Sequence, residues 1–178
     1  MKKIELKRLS EIPCQEIIDL MNNPRVLAQM PLATEEFDEK VCQNFVSKKE
    51  ELWQTHGYGP WAFVIEGKFA GWGGIQPESG EVDLVLVLHP SFWGYGRSLI
   101  SIILEKAFVE MKKESVVVFF PPTRKKVDGL LRIGFKKEKE ILLHGEQFIV
   151  YKLKRDDAIE FLSKNSKRDR HRIKSKAR

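Results

Sequence analysis

Residues 82 to 108 read VDLVLVLHPSFWGYGRSLISIILEKAF. Val82 to Leu88 is an apolar, alternating run of strand character, His89 and Pro90 turn it, and a helix follows from about Leu99 to Met111. Ile100, Ile103, Leu104, Ala107, Phe108 and Met111 recur at helical spacing as one apolar stripe, so this helix is expected to lie against a sheet. Between strand and helix stand Gly94 and Gly96, and no acid occupies the first helical turn. Glycines let a backbone curl so that successive N–H groups aim at one spot, and the positive end of the helix dipole adds to the same field. The segment therefore reads as an anion cradle: the amides of Gly94, Tyr95, Gly96 and Leu99, supplemented by Arg97 and the Ser98 hydroxyl, suit a pyrophosphate. It lacks the GK[ST] of a phosphate-binding NTPase loop, and it lacks the third glycine and ribose-binding acid of a dinucleotide fold.

Working outward, Lys3 to Leu9 alternates as a short opening strand, and Ser10 is placed to cap a helix carrying Ile17, Ile18 and Met21. Asn22, Asn23 and Pro24 end that helix. A second helix is expected from a Thr34 cap, with Phe37, Val41, Phe45 and Leu52 on its apolar face, and HGYGP at His56 to Pro60 breaks it. From Trp61 the period switches to strands: WAFVIE, a turn at Gly67, FAGWGGIQ, a turn through Pro77 to Gly80, then VDLVLVLHP. Ser115 to Phe120 is an apolar strand, VDGLLRIGF holds a short helix ending at Gly134, and Ile141 to Leu153 forms a hairpin around His144 and Gly145.

With 178 residues the chain suffices for one ordinary domain with a real core. Cys14 and Cys42 lie far apart in sequence with no metal-binding spacing, and both are read as reduced bystanders; no metal site is expected. The first nine residues are charged at Lys2, Lys3, Glu5, Lys7 and Arg8, and no apolar run approaches the roughly 20 residues that cross a bilayer, so a soluble cytoplasmic protein is expected. The formal charge of +6 belongs to the end of the chain, where eight Lys and Arg residues from Lys164 onward face the single acid Asp169. Residues 156–178 are read as a basic polar tail, a frayed helix or disordered, after a domain at 1–155.

LVLVLHPSFWGYGRS resembles the acyl-CoA signature of the GNAT superfamily of N-acetyltransferases, in particular its RimJ/RimL-like branch. Trp93, Gly96 and Ser98 fall on the family's Q/R-x-x-G-x-G/A pattern, with Trp93 and Ser98 as substitutions. LMNNPRV, GYGPWAFVIE, FAGWGG and LLRIGF have counterparts in that branch, so the resemblance extends over nearly the whole chain. It implies an α+β, three-layer fold with a central, mostly antiparallel twisted sheet and helices on both faces. It also implies acetyl-CoA as the acyl donor and a primary amine as acceptor.

Acetyl transfer from a thioester to an amine builds negative charge on an oxygen, which a preorganised backbone N–H stabilises. The resemblance assigns that donor and the pantetheine contacts to the central strand at Leu86, Val87 and Leu88. Alternation puts Leu84, Leu86 and Leu88 on one face and Asp83, Val85 and Val87 on the other. Asp83 is the candidate proton acceptor, with Glu81 and Glu78 as nearby alternatives and as acceptor-site residues. Trp53, His56, Tyr58, Trp61 and Trp72 cluster where the family places its acceptor; Trp61 and Trp72 are read as core, and Tyr58, between two glycines, as a ligand contact. In PPTRKKVDGLLRIGF, Thr123 occupies the family's Asn place, Lys126 its Ser place and Leu130 a tyrosine place used to protonate the leaving thiolate. Thr123 and Lys126 are thus candidate cofactor contacts, with a solvated lysine the plainer reading of Lys126, and no conventional general acid is visible. A thiolate leaves tolerably without one.

The acceptor stays open among a protein N-terminus, an amino acid, a polyamine and an aminoglycoside-like compound. A protein that binds acyl-CoA with little catalysis is the alternative. A homodimer is left open, and RNA binding by the basic tail is weighed against a plain solvated tail, which the absence of interleaved aromatics favours.

Overall fold

The computed structural model describes residues 3–30, 32–33 and 35–175, and the chain divides into two compact units, Met1–Ile100 and Ser101–Arg178. In the first unit, β1 (Ile4–Lys7), β2 (Pro60–Ile65), β3 (Lys68–Glu78) and β4 (Glu81–Leu88) pair in sequence order, each antiparallel to the next. Two-residue turns set the register. Glu66 and Gly67 (φ 52° and 76°) join β2 to β3, and Ser79 and Gly80 (φ 50° and 77°) join β3 to β4, the left-handed pair that matches strand twist. The second of these hairpins places Gln76 opposite Asp83 and Glu78 opposite Glu81. The expected turn through Pro77 is corrected: Pro77 lies inside β3, paired with Val82. β2 reaches only as far as Gly74, so Pro77 sits where β3 is paired with β4 and not with β2, a place in a sheet that tolerates a missing N–H.

Three helices separate β1 from β2: α1 (Cys14–Met21), the single turn α2 (Pro24–Leu27) and α3 (Glu39–His56). Ser10 does not cap α1. It falls in a 3-10 turn, Leu9–Glu11, and Pro13 flanks the helix start with φ −55°, already suited to it. Thr34 lies outside the described residues; α3 is capped by Asp38, whose Oδ1 accepts the Val41 N–H at 2.8 Å. Gly57 closes α3 in the left-handed region at φ 72°. Leu9, Ile17, Leu20, Val26, Cys42, Ala62 and Trp72 form the core of these elements, with Phe45, Val85 and Val87 packed against it. The cysteines are a second correction. Packing of α1 on α3 joins Cys14 to Cys42 as a disulfide, Cα atoms 6.3 Å apart, although 28 positions separate them in sequence.

The helix after β4 begins earlier than its apolar stripe. A 3-10 turn, Pro90–Tyr95, leads into α4 (Gly96–Glu105), and a π-helical turn, Lys106–Glu110, continues it. Of the stripe, Ile103, Leu104, Ala107 and Phe108 are fully buried while Ile100 and Met111 are half-buried, and Leu99, which lies outside the stripe, is fully buried as well. In the second unit β5 (Ser115–Phe120) pairs antiparallel with β7 (Glu146–Lys154), which pairs with β6 (Lys136–Leu143). His144 and Gly145 make the hairpin turn, and α5 (Asp128–Ile133) ends at Gly134 with φ 116°. α6 (Arg155–Ser175) starts where the Arg155 N–H donates to the Glu114 carbonyl at 3.0 Å, and it buries Ala158 and Phe161.

Candidate active site

Alternation along β4 delivers Asp83, Val85 and Val87 to one face, opposite Gln76, Gly74 and Trp72 of β3. Val85, Val87 and Trp72 continue the core there, so Asp83 is drawn in with them and is only 8% exposed. A carboxylate so placed loses its hydration, and burial is the main reason its pKa rises from 3.8 to about 7, with the negative Glu78 adding to the rise. The Gln76 Nε2 donates to Asp83 Oδ2 at 3.1 Å, and the positive Lys49 of α3 acts in the same downward sense; together they offset part of the rise. The Lys49 Nζ donates to Gln76 Oε1 at 2.6 Å and lies 5.4 Å and 5.2 Å from the ring centres of Phe45 and Trp72. Its own pKa is lowered, chiefly by burial, against the pull of Asp83 and Glu78. A carboxyl poised near neutrality in this way can both accept and hold a proton.

Beyond Leu88 the backbone turns through a short capped segment. His89 Nδ1 accepts the Ser91 N–H at 3.2 Å, and the His89 N–H donates to the Ala70 carbonyl at 2.9 Å. Trp93 Nε1 donates to the Leu88 carbonyl at 3.0 Å, while the Arg25 guanidinium of α2 lies over the Trp93 ring at 4.6 Å. Gly94 and Gly96 do not use the left-handed region open to glycine. Gly96 is plainly helical at φ −51° and ψ −46°, and Gly94 is not among the positive-φ glycines. Nothing lies within 4 Å of where a Cβ on either glycine would stand. The fold's own packing therefore does not require glycine at either position.

Of the other anticipated residues, Leu86 and Val87 are half-buried and Leu88 is buried; Arg97 and Ser98 are exposed at the start of α4, and Tyr95 is half-buried. Leu99 is fully buried, so its side chain belongs to the core and only its amide suits the expected role. Glu78 and Glu81 face each other beside the Ser79 turn, both half-buried. Tyr58 is 9% exposed, next to His56 with ring centres 5.9 Å apart, and burial raises its pKa. Trp61 and Trp72 are buried, as read. Within the expected aromatic cluster Trp53 packs on Trp61 at 5.1 Å, while Trp72 packs on Phe45 at 5.1 Å. In the second unit Thr123 and Lys126 are exposed in the segment after β5, and Leu130 is buried. Among the described residues no cluster of His, Cys, Asp or Glu could hold a metal ion, and no helix is long and apolar enough to cross a membrane.

Lys49, Gln76 and Arg25 are the site residues that sequence reading passed over. Lys49 interrupts the Phe45 to Leu52 stripe of α3, which is a signal in itself, because a lysine on an apolar face needs a partner. Gln76 would have followed from placing the turn at Ser79 and Gly80. Asn22, a helix stop by sequence, also grips the Phe37 backbone through its side chain, donating to the carbonyl at 2.9 Å and accepting the N–H at 3.1 Å.

No family model and no curated protein matches the sequence. Solved structures do match in shape. A GNAT-family acetyltransferase from Bacillus anthracis aligns with a TM-score of 0.67 at 16% identity, over 88% of this chain and 99% of that one. The ribosomal-protein-S5-alanine acetyltransferase of Vibrio fischeri gives 0.68 at 17% identity, over 88% and 94%. A chimera of the spermidine N-acetyltransferase SpeG from Vibrio cholerae gives 0.68 at 9% identity, over 89% and 98%. The fold is α+β and is that of the GNAT acyl-CoA N-acyltransferases.

Proposed function

We propose that this chain is an N-acetyltransferase of the GNAT superfamily, of its RimJ/RimL-like branch, that moves the acetyl group of acetyl-CoA to a primary amine by direct attack of the amine on the thioester. The observation that carries the reading is Asp83, a buried carboxyl with a pKa of about 7 on the strand that leads into the glycine-bearing helix start. Acetyl-CoA, when bound, supplies a thioester carbonyl open to an amine. Gly94 and Gly96, whose Cβ positions are open, suit its pyrophosphate, with Trp93, Tyr95, Arg97, Ser98 and Leu99 around it. The backbone of Leu86, Val87 and Leu88 serves the pantetheine arm, and the Leu86 N–H is the donor toward the developing negative oxygen. Asp83 lies three residues before Leu86, roughly 10 Å along the strand, so the amine proton reaches it along a chain of waters rather than directly. Glu78, Glu81 and Tyr58 line the acceptor side in this reading, and Thr123 and Lys126 remain cofactor-contact candidates from the resemblance alone.

The acceptor is an amine, either a protein N-terminus or a small molecule; the names of two of the similar structures carry a ribosomal-protein alanine and spermidine. Use of acetyl-CoA assigns the protein to the cytoplasm; the Cys14–Cys42 disulfide is the feature that runs against that location. A second reading, acyl-CoA binding with little turnover, is favoured by one observation: Leu130 is a buried aliphatic residue where the resemblance expects a proton-donating tyrosine. Single-turnover transfer from acetyl-CoA to a peptide, an amino acid, spermidine and an aminoglycoside separates the two. Transfer to any of them that Asp83→Asn suppresses at least tenfold supports the enzyme; CoA binding with no transfer to any amine selects the binding protein, and no CoA binding overturns both.

A further inference from the structure

Gln76 bridges two groups that constrain it in opposite ways. An ammonium can only donate, so Lys49 Nζ, 2.6 Å from Gln76 Oε1, requires the carbonyl end of the amide. That leaves the Nε2 end for Asp83 Oδ2 at 3.1 Å, where the carboxyl must accept. The reverse amide orientation would offer Asp83 a carbonyl oxygen, to which only a protonated carboxyl can donate. Lys49 is itself held in place, being half-buried with its Nζ over the rings of both Phe45 and Trp72, which pack edge to face on each other, so the ammonium is held beside Gln76.

We propose that Lys49, acting through Gln76, is a positioning residue that locks the amide so that Asp83 is held as a hydrogen-bond acceptor, the form in which it takes a proton from the acceptor amine. The proposal rests on Asp83 as proton acceptor for its purpose, though not for its geometry. The charged groups facing Asp83 are Lys49 from α3 and Glu78 from β3; Lys49 and the Gln76 hydrogen bond lower its pKa while Glu78 and burial raise it. Removing Lys49 frees Gln76 to invert and welcome the neutral acid, which adds to the loss of a nearby positive charge.

The test is a carbon-13 NMR titration of the Asp83 side-chain carboxyl in the full chain, which needs no ligand. The wild-type midpoint is expected at about 7. Lys49→Met should raise it by about half a pH unit or more, and Lys49→Gln, which keeps polarity and bulk in case the first variant does not fold, should raise it as well. Gln76→Leu should also raise it, and in the Gln76→Leu background the Lys49 substitution should add far less than it does alone, because the bridge it acts through is gone. An unmoved midpoint in both Lys49 variants overturns the proposal. Equal shifts with and without Gln76 overturn it too, since they would mean that Lys49 acts by charge through space. Failure of the enzymatic reading shows separately, as acetyl transfer unaffected by Asp83→Asn while the titration still behaves as described.

Discussion

Asp83 sets the pH behaviour of the protein in two opposed ways. As a proton acceptor it works only when ionised, so transfer to a chosen amine should rise as pH passes through about 7 and level off above it. Asp83→Asn should abolish that rise together with most of the turnover. Stability runs the other way. The folded carboxyl holds its proton up to about 7 and the unfolded one only to about 3.8, so between these values the folded state binds the extra proton and stability falls as pH rises. A displacement of that size corresponds to a ceiling of about 4 kcal/mol above the window. Asp83→Asn, neutral at every pH, should therefore melt higher than wild type at pH 8, with the difference vanishing near pH 4; a variant less stable at pH 8 would contradict this account. On the proposed reading, Asp83 trades stability for function through its burial.

Among the elements, the glycines divide into those the fold needs and those it does not. A Cβ on Gly71 would stand 2.1 Å from the Val87 carbonyl oxygen, at φ 145°, and one on Gly59 would stand 2.7 Å from the Trp53 indole nitrogen, which is bonded to the Pro60 carbonyl. Gly71→Ala and Gly59→Ala should each lower the unfolding free energy by about 1–3 kcal/mol in urea titrations, Gly71 the more because backbone cannot yield as a side chain can. Gly96 is the contrast, helical and facing open space. Gly96→Ala should leave stability unchanged or raise it by up to about 1 kcal/mol, while calorimetric titration shows CoA binding weakened; Gly96→Val should weaken it further. Unaltered CoA binding by Gly96→Val would remove the phosphate role from the start of α4. The element boundaries were legible in the sequence wherever period and turn chemistry agreed, as for β2 and the end of α5. The hairpin turn at His144 was legible too, but its first strand begins at Lys136, well before the expected Ile141, in a charged run with no apolar alternation. They were not legible where a local signal had a competitor: Ser10 looked like a cap, but Pro13 fixed the helix start, and Pro77 looked like a break in a strand that runs on past β2.

For the molecule as a whole, the basic charge and the fold are separable. Ala158 and Phe161 bury the first turns of α6, while the eight basic positions begin at Lys164. Ending the chain after Lys164 should shift the melting temperature little, whereas ending it after Lys154 should unfold or strongly destabilise the second unit, and thermal melts of the two truncations test this. RNA affinity of the protein should not change on the shorter truncation if the tail is merely solvated; a loss that weakens with added salt would reveal a nucleic-acid contact. The sequence by itself determined the order of the strands and the main helices, the amphipathic stripe of the helix after β4, the glycine-bearing turn that leads into it and the face of β4 on which Asp83 lies, because each follows from bond geometry and spacing along a few residues. Only the tertiary structure decided that Cys14 meets Cys42, that Lys49 and Gln76 join Asp83, and that its pKa rises to about 7. Desolvation and partner geometry depend on which side chains pack together from distant parts of the chain, and no local pattern carries that information.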